Sequence, residues 1–217
     1  MLNSKKQGLR LVALVLSLFF SMVDVFGQTA TADCGIGSGT GLTVGTTVTV
    51  NSAQTLGIPS VTLCGSGTAQ RDVWYWFTAT SNTTQVSFTP SGNRNAALLV
   101  YDDCGASTPI ACANAYGNAN TTETALINTT IGNSYAIRLI RVGSTNAIQG
   151  SLIFRPGNDN CSSAEVITAS SSTTCTNVVG NSLGATQSSS GCSGTADDDV
   201  WFTFEATASS HQVTVTT

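Results

Sequence analysis

Residues 71–90, RDVWYWFTATSNTTQVSFTP, decide how the chain is read, because residues 198–217, DDVWFTFEATASSHQVTVTT, repeat them 127 positions later. In register, Asp72-Val73-Trp74 falls on Asp199-Val200-Trp201, Phe77 on Phe204, Gln85-Val86 on Gln212-Val213 and, further back, Cys34 on Cys161. Matches held over that span mark a tandem repeat, and a 127-residue period is the size of a domain rather than of a solenoid unit. Within VWYWFTA, Val73, Tyr75 and Phe77 share one face of a strand and Trp74 and Trp76 the other. The later copy puts Val200, Phe202 and Phe204 on the first face, which is therefore read as core.

Outward from this stretch the same period recurs. LTVGTTVTV (42–50), TQVSFT (84–89), AALLVYDD (96–103), SYAIRLIRV (134–142) and GSLIFR (150–155) alternate apolar and polar positions between Gly, Asn, Ser and Pro. No amphipathic helical window of useful length accompanies them. The pattern predicts an all-β chain: an antiparallel β-sandwich or jelly roll in two tandem copies, the second truncated. Residues 28–156 hold the first copy and 157–217 the N-terminal half of the second. The second stops at the position matching Pro90, before any counterpart of the 96–103, 134–142 and 150–155 strands. A half-copy of this kind exposes apolar faces and unpaired edges, so the chain is read as a fragment of a longer protein.

Residues 1–27 read as a cleaved secretory signal. Lys5, Lys6 and Arg10 precede the apolar run 11–23, and small residues follow before Gln28. About 13 apolar residues fall short of the roughly 20 that span a bilayer as a helix. Without this leader the chain has five arginines, no lysine and eleven acidic residues, a formal charge of −6. Phosphate recognition needs clustered cations, which makes a nucleic-acid partner unexpected. The absence of lysine excludes Schiff-base chemistry.

All seven cysteines lie beyond the leader, as expected of disulfides in an oxidising compartment; no Cys-x-x-Cys spacing points to a metal. Cys104 and Cys112 flank the turn CGASTPIAC and are expected to close it as a Cys104–Cys112 bond, leaving Cys34–Cys64 as the other pair of the first copy. Candidate sites are few. Asp197, Asp198 and Asp199 offer loop carboxylates of the kind calcium takes, but only Asp199 has an acidic partner in the repeat, and a loop cap or solvated turn is the preferred reading, so no metal is expected. Asp102 and Asp103 invite the same two readings. Trp74 and Trp201 could stack on a sugar or pack beneath a loop. His211, the single histidine, matches Thr84 and is not read as catalytic. CGIGSGTG (34–41) lacks the strand and helix that a dinucleotide fingerprint needs, so no cofactor is expected.

NDNCSSAEVIT, GATQSSSGCSGTADDDVWFTFEAT, LLVYDDCG and IGNSYAIRL resemble the tandem β-sandwich modules of large surface and secreted proteins of type IX-exporting bacteria. More distantly they are similar to the bacterial pre-peptidase C-terminal domain. The resemblance implies a Cys175–Cys192 bond bracketing the GATQS segment, and a Cys161 that stays unpaired here. It also implies a non-catalytic exported module acting in adhesion, spacing or ligand binding. Its partners would be a surface glycan or protein and neighbouring modules. The alternative it leaves open is the accessory region of a secreted peptidase or glycan hydrolase whose catalytic domain lies elsewhere.

Overall fold

The computed structural model describes residues 34–37, 41–52, 61–115, 119–170, 177–187 and 198–216. Among the described residues before 157 there are eight strands: β1 (Val48–Ser52), β2 (Ala69–Thr78), β3 (Thr83–Pro90), β4 (Ala96–Tyr101), β5 (Ala111–Ala113), β6 (Glu123–Asn128), β7 (Ser134–Val142) and β8 (Ile148–Pro156). They form two four-stranded sheets, ordered β1-β8-β3-β6 and β2-β7-β4-β5, with antiparallel pairing throughout. The all-β sandwich expected from the alternation is present.

The inner faces meet as anticipated. Val73, Tyr75 and Phe77 of β2 join Leu98, Val100, Ile137 and Leu139 across from Val86, Phe88, Leu152 and Phe154. Phe77 touches Phe154 at a centroid separation of 4.6 Å, so the two sheets interlock through aromatic rings. What alternation does not convey is that the outer face of the second sheet is also buried. Trp74, Ala97, Leu99, Tyr101, Ala136 and Ile140 form a second cluster, covered by Ile36, Val61, Leu63 and Ala106 from loops. Every residue of β4 is buried, because this central strand is apolar on both faces.

The segment from residue 157 onward does not repeat this architecture among the described residues. It contributes a 3-10 turn (Cys161–Ser163) and two short strands, β9 (Glu165–Val166) and β10 (Phe202–Thr203), paired parallel. Phe204, expected on a core face, is 42% exposed. No helix among the described residues is long and apolar enough to cross a membrane.

The cysteine pairing of the first copy is corrected. The bonds are Cys34–Cys104 and Cys64–Cys112, not Cys34–Cys64 and Cys104–Cys112. Cys112 lies in β5, paired opposite Leu99, while Cys104 follows the end of β4 on a turn. The CGASTPIAC stretch therefore spans a strand and a loop, and each cysteine reaches a different covering segment. Cys161 is an exposed free thiol, while Cys175, Cys192 and Asp197 lie outside the described residues, as does the 1–27 leader.

Candidate functional site

The outer face of the β2-β7-β4-β5 sheet carries the cleft. Strand register places Trp74 of β2 opposite Arg138 of β7, Arg138 opposite Leu99 of β4, and Leu99 opposite Cys112 of β5, so one row crosses the whole sheet. The 34–37, 61–66 and 102–110 loops rise over this row. Cys34–Cys104 ties the first of them to the third, and Cys64–Cys112 ties the second to β5. Between sheet and loops lies a cleft of about 870 Å³, within the ordinary range for small-ligand sites.

Its floor is aromatic and charged at once. The Arg138 guanidinium lies 5.0 Å from the Trp74 ring centroid, and Tyr101 stands 5.4 Å from the same indole, tilted by 41°. Arg138 donates through Nε to Asp72 Oδ2 at 2.7 Å, with Nη2 also 2.7 Å from that oxygen. Both side chains are almost wholly buried. The Trp74 indole N–H is buried without an acceptor, an unusual state for an interior donor. Above the floor, Val61, Leu63 and Pro109 supply apolar wall, and Thr62, Ser107 and Thr108 supply hydroxyls.

The sequence-named residues separate. Trp74 lines the cleft, but its ring is 4% exposed and one face is occupied by Arg138, so it presents no open stacking platform. Trp201 is outside the lining; its backbone N–H donates to the Asn158 carbonyl, and its own carbonyl accepts from Asn158 Nδ2 and Glu165 N. Asp198 and Asp199 belong to the 198–216 stretch, and no group of three potential metal ligands converges among the described residues. Asp103 Oδ1 accepts the Gly105 N–H, a turn cap beside the exposed Asp102. His211 Nε2 accepts from the Thr207 and Ala208 backbone and abuts Phe204.

Sequence reasoning missed Arg138, Tyr101 and the loop hydroxyls. One signal was present for Arg138: it falls on the apolar outer-face alternation Ala136-Arg138-Ile140, where an unaccompanied cation cannot be buried. Its counter-ion, Asp72, precedes Trp74 by two residues and so shares that face.

A sandwich with a roofed, partly apolar cleft on one outer face has the form of a β-sandwich ligand-binding domain. The chain belongs to the galactose-binding-domain-like family associated with the type IX secretion system, whose model matches residues 33–153 and 157–216. Among solved structures it is similar to the pre-peptidase C-terminal domain of a collagenase from Bacillus anthracis. The identity is 13% and the TM-score 0.35, over 51% of this chain and 89% of that one. The family is the resemblance carried by the sequence motifs. No curated protein matches the chain. Association with type IX secretion implies export, with which the two disulfides agree.

Proposed function

We propose that the chain is an exported, non-catalytic binding part of a larger secreted or cell-surface protein, and that the cleft over Trp74 and Arg138 receives a glycan. In this reading residues 1–27 are a cleaved leader, 28–156 one complete module and 157–217 the beginning of a second. One observation carries the binding role: three loops tied by two disulfides hold a cleft open above a buried aromatic and cationic floor that the sandwich does not need for its inner core. The family description supports a saccharide as the ligand.

The test is a printed glycan array probed with the chain from Gln28 onward, followed by calorimetry on any hit. Saturable binding that competes with the free saccharide supports the reading. An array without a single reproducible hit, from protein shown to be folded by its disulfide map and thermal transition, overturns it.

A further inference from the structure

We infer that the cleft selects neutral saccharides and rejects acidic ones. This rests on the glycan reading above and goes further by naming the ligand class. Arg138 is the one basic residue among the described residues of the lining, and its charge is already taken up by Asp72 at 2.7 Å. With both partners at or below 4% side-chain exposure, little solvent intervenes to screen a third charge. A ligand carboxylate or sulfate approaching Arg138 meets Asp72 as a competitor holding the same guanidinium, and displacing it would cost a buried carboxylate its ion pair.

The roof adds to this. Asp102 and Asp103 are exposed at the start of the loop whose Ala106, Ser107, Thr108 and Pro109 line the cleft, so an anion entering there passes two carboxylates and finds no compensating cation. The remaining groups suit a neutral polyol. Thr62, Ser107 and Thr108 donate to and accept from hydroxyls, the walls receive the apolar face of a pyranose ring, and the Trp74 N–H is a donor awaiting an oxygen acceptor.

The sandwich does hold cations whose guanidinium contacts are carbonyls rather than carboxylates, but at the other end. Arg94 donates to the Ser91, Gly92 and Ala147 carbonyls and Arg141 to the Asn95 carbonyl, both before β4 or at the close of β7.

The deciding experiment compares neutral oligosaccharides with uronate-, sialate- and sulfate-bearing ones on the same array, using the chain from Gln28, Trp74→Phe, Thr62→Val with Thr108→Val, Asp102→Asn with Asp103→Asn, and Arg94→Gln. Neutral glycans are expected to bind at least tenfold better than their acidic counterparts. Loss of hydroxyl partners in the threonine pair is expected to weaken that binding about tenfold, as is loss of the indole N–H. The Asp102/Asp103 amide pair is expected to narrow the neutral-over-acidic ratio about threefold or more. The threonine pair lies at the loops and keeps the test valid if Trp74→Phe lowers the folded fraction. Acidic glycans bound as well as neutral ones, with that binding lost in the threonine pair and kept in Arg94→Gln, would overturn the inference while leaving glycan binding intact. An array with no hits overturns both.

Discussion

At the scale of single residues, burying a guanidinium with a carboxylate is costly, and the ion pair between Arg138 and Asp72 offsets part of that cost. Arg138→Ala should therefore destabilise the fold by about 3–5 kcal/mol, and by more than Arg138→Met combined with Asp72→Leu, since the double change removes both charges of the ion pair. Urea unfolding of the three proteins checks the order. Glu123 is buried for a different reason: both carboxylate oxygens accept the Ala115 N–H at 3.0 Å. Burial pushes its pKa above the ordinary 4.5, and the Ala115 bond offsets part of the rise. An acid whose folded pKa is raised binds its proton more tightly in the native state, so stability falls as pH climbs from about 4.5 through the folded value. Glu123→Gln should flatten that part of the profile while keeping an acceptor for Ala115, as thermal melts between acid and neutral pH would show.

At the scale of elements, alternation made β1, β3 and β8 legible, because a strand half-buried against a second sheet must alternate, whereas β2, β4 and β7, largely buried on both faces, stood out as short apolar runs between turn residues. β5 and β6 were not read, the first being three residues long and the second, ETALIN, placing Glu123 and Thr124 beside its apolar positions. The disulfides failed for a related reason. Pairing by proximity in sequence assumes that the turn between Cys104 and Cys112 closes on itself, whereas β5 pairs with β4 and carries Cys112 into the sheet. The resulting Cys34–Cys104 and Cys64–Cys112 bonds bridge 70 and 48 residues, and loops of that length give stabilisation of roughly 4 kcal/mol each on the chain-entropy account. Peptide mapping without reduction should recover these two links. Replacing Cys64 and Cys112 together by Ser should lower the unfolding midpoint and also weaken ligand binding in protein that remains folded, since the 61–66 wall loses its tether.

At the scale of the whole molecule, residues after 156 are joined to the sandwich by specific contacts rather than by a polar tether. Asp159, 3% exposed, accepts from the Thr186 backbone and hydroxyl and pairs with Arg155 at 3.7 Å. Asn181 Nδ2 donates to the Thr80 carbonyl and the Gly157 N–H to the Thr83 carbonyl, while Asn158 and Trp201, both within the segment, share two hydrogen bonds. Gly45 and Gly184, both at positive φ, bring their backbones into direct contact, so a Cβ on either would collide with the other chain segment. Asp159→Ala and Gly184→Val should each speed proteolysis within 157–187 while leaving the 41–156 core resistant, a difference that timed digestion with mass spectrometry would detect. Insensitivity of both variants would mean that the contacts contribute nothing to holding the segment.

By itself the sequence determined the class of fold, the inner core and the family, because each follows from periodicities and motifs local to a strand. Val73, Tyr75 and Phe77 point inward wherever the sheets are finally placed. Only the tertiary structure decided which cysteines meet, that Arg138 stands beside Trp74 and Asp72, and that loops from three parts of the chain enclose a cleft above them. Strand order β2-β7-β4-β5 brings residues 74, 138, 99 and 112 into one row, and no local pattern encodes an order in which neighbours in space are dozens of residues apart in the chain.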